Sequence, residues 1–445
     1  MSNELRERFC GPWSIPHAYP NGWSSPCCVD TSSLMSKRRT AYPPEFRRQM
    51  VELVRSGRNP EELSREFEPT AQRAKDFLTP KAIHQTILPP MKTGRPSTES
   101  SGGGALRYTH GMRKVMAIAV LLLLIAGTAY LYYVRGVGVS AQIPRPATIE
   151  RAGGVRTYTW GVRTAMPTPR TEVAAEVLAG KIYVIGGFDG LGRTVATVEV
   201  YDPASGLWAA GPDLPAPRHH LVAATAGDTL YALGGYTGSS FEPHAEVYAL
   251  DARTTSWRPI ATLPAARAAM AAAALGGKLY LVGGVGPEGL ANELYVYDTV
   301  ADHWEERRPA PTRRDHLAAA ALHGRLYLGG GREQSLSKNL ATLEVYDPTA
   351  DTWNVGANLP TARGGVAGAA FDGLFVIAGG ERPGATHAEV EAFDPKSGHW
   401  LRLPPLPTAR HGLAAAVVGN VLYVIGGGTH PGLSVSGRVE ALEVH

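Results

Sequence analysis

The 445-residue sequence predicts an all-β protein, a six-bladed β-propeller over residues 158–445, preceded by one transmembrane helix and a small α-helical N-terminal segment. Three observations carry this prediction. An Arg followed sixteen residues later by Gly-Gly recurs six times, and an Asp six residues before a Trp recurs between those copies. The last copy stops short of its Trp, while an unmatched Trp160 stands ahead of the first.

The arginines are Arg170, Arg218, Arg267, Arg314, Arg363 and Arg410, at intervals of 48, 49, 47, 49 and 47 residues. Their glycine pairs are Gly186 and Gly187, Gly234 and Gly235, Gly283 and Gly284, Gly330 and Gly331, Gly379 and Gly380, and Gly426 and Gly427. Within a copy, the runs EVAAEVLAG, KIYVIGG, TVEVYDP and LWAAGPDLP are β-prone and separated by Gly, Pro, Asp or Ser, which reads as four short strands. One such sheet cannot bury both faces, so the copies must stack face to face around an axis. The first run of each copy is rich in Ala and Gly (AMAAAALGG, GVAGAAFDG), which suits strands crowded at that axis. The glycine pairs mark unusual backbone dihedrals or close approach of a neighbouring blade. Trp208, Trp257, Trp304, Trp353 and Trp400, with the Tyr that precedes most glycine pairs, supply apolar area between blades. Each of these Trp stands ten residues before the next Arg, and Trp160 stands at the same distance before Arg170. Residues around Trp160 are therefore expected to complete the sixth sheet and close the ring.

The block Arg…LYVIGG…VEVYDP…W…LP resembles the kelch repeat, and six spaced copies cover residues 158–445. The resemblance implies a kelch propeller. It leaves function open, since kelch propellers include peptide-binding adaptors, carbohydrate-binding modules, a sialic-acid epimerase and galactose oxidase.

Upstream, Val115 to Val134 carries no charge for twenty positions, long enough to span about 30 Å of hydrocarbon. Arg107, Arg113 and Lys114 precede it and Tyr130, Tyr132 and Tyr133 lie at its far end, which favours a cytoplasmic N-terminus. A cleaved export signal ending at Val139-Ser140-Ala141 competes with a retained anchor. Both put the propeller outside the cytoplasm, as a single-pass membrane protein or as a secreted or periplasmic one. Residues 80–112 and 135–157 read as linkers, and 1–35 as disordered.

Residues 36–79 differ again. Pro43 and Pro44 can open a helix carrying Phe46, Met50, Val51 and Val54 at helical spacing, and Asn59-Pro60-Glu61-Glu62 can open a second. With Arg38, Arg39, Arg47, Arg48, Arg55 and Arg58 around it, the stretch resembles the helix-turn-helix of bacterial insertion-sequence transposases. The resemblance fades after Gln72, before any recognition helix, so the stretch reads first as the relic of an insertion event or an overextended gene start, with the working protein beginning near Met112; DNA is not the expected partner, and DNA binding by this segment stands as an alternative function. The charge follows the same division: residues 1–114 hold 18 basic and 11 acidic residues, the remainder 26 and 29.

All three cysteines lie in the first 28 residues, which excludes disulfides or thiolate sites in the propeller, and with them galactose-oxidase copper chemistry. The histidines show no metal-ligand spacing along the chain, so no metal, cofactor or catalytic set is expected. The candidate ligand-binding residues are the six arginines together with His219, His220, Asp315, His316 and His411, which follow them. Guanidinium groups suit carboxylate, sulfate or phosphate. The arginines are expected to rim one mouth of the central channel and bind an anionic sugar or an acidic protein segment. Substituting Arg218 and Arg314 together should then abolish binding with little loss of melting temperature. Two readings stand beside this: arginines doing one structural job per blade, and a sugar epimerase or mutarotase of the sialic-acid type using a rim His as acid or base.

Overall fold

The computed structural model describes residues 140–151, 154–253 and 256–445, with a few positions between 120 and 134. The helix-turn-helix-like stretch, the first linker and most of the apolar run lie outside the described residues. Among the described residues, no helix is long and apolar enough to cross a membrane.

From Ala174 onward the chain makes six antiparallel sheets in succession. Blade 1 contains Ala174–Leu178, Lys181–Ile185, Val198–Asp202 and Leu207–Ala210, in that order from the axis outward. Blades 2 to 5 repeat the order, their innermost strands being Val222–Ala226, Ala271–Leu275, Ala318–Leu322 and Ala367–Phe371. Blade 6 is assembled from both ends of the propeller segment. Ala414–Val418, Val421–Ile425 and Val439–Val444 are followed outward by Gly154–Arg163, with Trp160 opposite Leu442.

The ring thus closes where the lone Trp160 predicts, but the domain starts earlier than residue 158. Ala147–Arg151 pairs antiparallel with Gly154–Arg163 as a fifth strand, so the segment expected to be linker is partly sheet. Its Ile149 packs on the core shared by blades 5 and 6. Arg151 and Tyr158 both reach Asp372 Oδ2 at 2.7 Å, fastening the hairpin to a turn of blade 5. The added strand covers what would otherwise be an open edge.

Between blades, the apolar layers interlock as the repeat predicts. Tyr231 and Leu233 of blade 2, for example, share one core with Leu279, Leu281, Tyr297 and Trp304 of blade 3. Every repeat Trp also donates its indole N–H to the preceding blade: Trp208 to Thr164 O, Trp257 to Pro212 O, Trp304 to Ala261 O, Trp353 to Arg308 O, Trp400 to Ala357 O and Trp160 to Pro404 O, at 2.7 to 3.0 Å.

The glycine pairs make the second seam. Both members of all six pairs have positive φ, and the second glycine's N–H meets the repeat Arg carbonyl of the following blade, as in Gly331 to Arg363 O at 2.9 Å. A Cβ on Gly330 would stand 2.7 Å from that same oxygen. Only glycine meets both demands.

Candidate functional site

The second residue after each repeat Arg lies on the propeller axis. These six residues are Glu172, His220, Ala269, His316, Gly365 and Gly412, and every one has a φ between 52° and 69°. The left-handed conformation turns each N–H toward the neighbouring blade, so that the six backbones close a hydrogen-bonded ring. His220 N donates to Glu172 O, Ala269 to His220, His316 to Ala269, Gly365 to His316, Gly412 to Gly365 and Glu172 to Gly412, at 2.8 to 3.1 Å. Four non-glycine residues accept an uncommon conformation to complete it. Beyond this ring the channel is lined by Val, Leu, Met and mostly Ala from the inner strands, and it encloses about 150 Å³.

The repeat arginines do not rim this mouth. Their side chains turn back into their own blades, where Arg170, Arg314, Arg363 and Arg410 are fully buried and Arg218 and Arg267 nearly so. Each pairs with a Glu of its own blade: Arg170 with Glu199, Arg218 with Glu246, Arg267 with Glu293, Arg314 with Glu344, Arg363 with Glu391 and Arg410 with Glu440. Arg170 and Arg314 also donate to the carbonyls of Gly186 and Gly330, tying the inner strand's entry to the glycine turn. The anionic-ligand rim built on these six residues is therefore corrected. In blades 1, 4, 5 and 6 the partner Glu holds the same place in the third strand and is buried with its Arg, whereas in blades 2 and 3 Tyr248 and Tyr295 take that place and the partners, Glu246 and Glu293, stand two positions earlier and partly exposed.

His219, His220, Asp315, His316 and His411 do gather at the mouth, as expected from their place after the arginines. Sequence reasoning missed Glu172, Arg332 and Glu381, which complete the cluster. Glu172 faces His220 Nε2 at 3.3 Å and His411 Nδ1 at 3.4 Å. His411 Nδ1 also stands 3.5 Å from Glu381 Oε2, and its Nε2 lies 2.9 Å from His430 O. Arg332 bonds Glu381 Oε1 at 2.7 Å, Asp315 Oδ1 at 3.3 Å and His316 Nε2 at 2.9 Å. His316 Nδ1 bonds Asp315. His219 Nδ1 lies 2.6 Å from His220 Nδ1, and Phe188 stacks on the His219 ring at 3.9 Å.

Burial sets the charges. It opposes ionisation of Glu172, but the rings of His220, His411 and His316 outweigh it and hold that carboxyl well below its usual range. Burial drives His219 down to about 4. His411 goes the other way, because Glu381 and Glu172 overcome its desolvation and raise it.

The signal for the missed residues lies in the columns of the repeat. Read down the position two after the Arg, the chain gives Glu, His, Ala, His, Gly, Gly; down the position after each glycine pair, Phe188, Tyr236, Val285, Arg332, Glu381, Gly428. Both columns vary where the fold demands nothing of the side chain. Both lie at the mouth.

Residues 209–355 and 305–427 match a family model described as the KLHDC2/KLHL20/DRC7 Kelch-repeats domain, and residues 169–215 match the Kelch motif. The F-box/kelch-repeat protein SKIP30 of Arabidopsis thaliana is 42% identical over 54 residues, which are 12% of this chain and 15% of that protein. A second F-box/kelch-repeat protein of Arabidopsis thaliana is 49% identical over 55 residues, 12% of this chain and 16% of its own length. The matched segments thus span a small part of either relative. Among solved structures, the one titled "Structure of YjhT" resembles this chain with a TM-score of 0.54 and 18% identity, over 62% of this chain and 96% of that one. That likeness is one of fold.

Proposed function

Because the chain belongs to the kelch-repeat propellers, we propose that it is a protein-binding scaffold module which receives a segment of its partner across the channel mouth. The observation that carries this reading is the asymmetry of the loops around the mouth. On blades 1, 2 and 6, which are consecutive in the ring, the loops joining second and third strands expose Leu191 (62%), Phe241 (48%) and Leu433 (37%). The corresponding loops of blades 3, 4 and 5 expose Glu288, Glu333, Lys338 and Arg382 instead. An extended segment with an apolar anchor fits the first arc and can hydrogen-bond to the histidines and carboxylates of the floor.

An anionic sugar or acidic segment finds less here than six free arginines would have offered. The floor's cation Arg332 is already held by carboxylates, as is His411 when protonated. Apolar contact therefore leads recognition. The same reading puts the propeller outside the cytoplasm, supported by the uncharged run Val115 to Val134, whether that run is retained or removed after Ala141.

Peptides selected from a random display library on the full chain test the module. Phe241→Ala combined with Leu191→Ala should weaken the selected peptides at least about tenfold, the scale of a buried interface anchor. Selected peptides that bind the double variant as tightly as the parent would remove the mouth from the reading. Mass spectrometry of the mature N-terminus tests the placement.

A further inference from the structure

We propose that Glu172, His220 and His316 form a site for one divalent transition-metal ion at the channel mouth, a two-histidine, one-carboxylate set of the kind that holds zinc with a coordination position left open. It rests on the geometry of the mouth and not on the partner reading above.

One ligand atom from each of the three residues can be chosen so that all lie within 4.8 Å of one another. Tetrahedral zinc with ordinary bond lengths holds its ligands about 3.4 Å apart. The His220 Nε2 to Glu172 Oε2 separation of 3.3 Å already has that length. The His220 and His316 rings stand edge to face with centroids 4.9 Å apart, so a modest approach of His316 completes the triangle.

Hydrogen bonding sets the tautomers. The Gly238 carbonyl can only accept, so the 3.1 Å contact puts a proton on His219 Nε2 and leaves His219 Nδ1 bare. His220 must then donate its Nδ1–H across the 2.6 Å contact to His219, so in the neutral ring the lone pair of His220 Nε2 faces the Glu172 carboxylate. In that form two acceptors face each other, and either a proton or a metal cation can join them. The His220 side chain is 93% buried, 7% of it remaining exposed, so water does little to relieve this. A divalent cation would satisfy both.

His316 follows the same logic. Asp315 takes its Nδ1–H and Arg332 Nη2 donates to its Nε2, so that nitrogen too carries a lone pair. A metal-bound histidine characteristically gives its other N–H to a carboxylate, which orients the ring and raises its basicity. Asp315 is in place for that. Arg332 would have to release His316, and it keeps Glu381 through Nη1 and Asp315 through Nε when it does. The carboxylates of Glu172, Asp315 and Glu381 together exceed the charges of Arg332 and a protonated His411, which favours a cation. Ring nitrogens beside a carboxylate, without thiolate, suit zinc, nickel or cobalt over calcium or magnesium.

The test titrates zinc chloride into the purified, chelator-stripped full chain by calorimetry and counts bound zinc by mass spectrometry. One zinc per chain is expected. Glu172→Gln, His220→Ala and His316→Ala should each abolish that site, and Asp315→Asn should weaken it about 10- to 100-fold, as loss of a ligand-orienting carboxylate does elsewhere. His303→Ala, exposed on the outer strand of blade 3, should leave it unchanged. Failure of the full chain to take up zinc, or a stoichiometric site that survives His220→Ala or His316→Ala, would overturn the proposal. Should a variant unfold, X-ray absorption of the zinc-loaded native chain decides: two imidazole nitrogens support the site, and fewer overturn it.

Discussion

Two columns of residues, only two positions apart in the chain, meet opposite fates in this propeller. The Arg column is the same in all six blades and disappears into the sheets, each guanidinium held by a Glu of its own blade. The column of Glu172, His220, Ala269, His316, Gly365 and Gly412 shares only its backbone conformation, and its side chains meet at the axis. Repetition marks a job the fold needs six times. Variation marks positions the fold leaves free, and those are where a particular function can be written.

The largest expected effect breaks the repeated column. Arg314→Ala should cost about 3–5 kcal/mol in chemical denaturation, because Glu344 is left charged and buried without its partner. The Arg218 and Arg314 double substitution should accordingly lower the melting temperature steeply, the reverse of what a solvent-facing rim predicts. A loss below about 1 kcal/mol for Arg314→Ala would show that the pair is not the anchor described here.

Next comes the glycine seam. Gly330→Ala combines a φ of 66° with a 2.7 Å approach to the Arg363 carbonyl, and should destabilise by about 2–3 kcal/mol in the same assay. Closure of the ring should be slightly less costly to disturb: Trp160→Phe removes the N–H that Pro404 O accepts and should cost about 1–2 kcal/mol.

Glu176 sharpens the comparison from within the inner strands. Its column, six residues after each Arg, is otherwise Ala throughout: Ala224, Ala273, Ala320, Ala369 and Ala416. Burial pushes its carboxyl up from 4.5 to about 7. Below pH 4 it is protonated in both folded and unfolded chains and costs nothing. As pH rises through the unfolded value toward 7, only the unfolded chain ionises, so stability falls and then levels off. Glu176→Gln should therefore gain about 3 kcal/mol at pH 8 and nothing at pH 4, read from denaturation midpoints at the two pH values. Equal effects at both would dismiss the buried-acid account.

The smallest effect belongs to the varied column itself. His220→Ala with His316→Ala should cost only about 1 kcal/mol, because the ring at these positions is made by backbone and the buried carboxylates of Glu172 and Asp315 keep His411 and Arg332 as partners. A loss as large as that for Arg314→Ala would erase the distinction between the two columns.

The fold was legible because each of its requirements is local and repeated. The Trp160 spacing announced the closing strand, the Ala-rich runs announced the axis, and the glycine pairs announced the tight seam between blades. The site was half legible. His219, His220, Asp315, His316 and His411 could be found by adjacency to the arginines, while Glu172, Arg332 and Glu381 belong to blades 1, 4 and 5 and join the cluster through contacts to neighbouring blades that no local spacing announces.

By itself the sequence determined the number of blades, their strand order and the join between the two ends of the repeat array, since period and pattern are properties of neighbouring residues. Only the tertiary structure decided which way each side chain faces. An Arg at the entrance of an inner strand can point to solvent or into its sheet, and the choice depends on a Glu some thirty residues away that removes the cost of burying it. Residues 48 and 96 positions apart converge on one axis for the same reason: the ring brings matching positions of every blade together, whatever separates them along the chain.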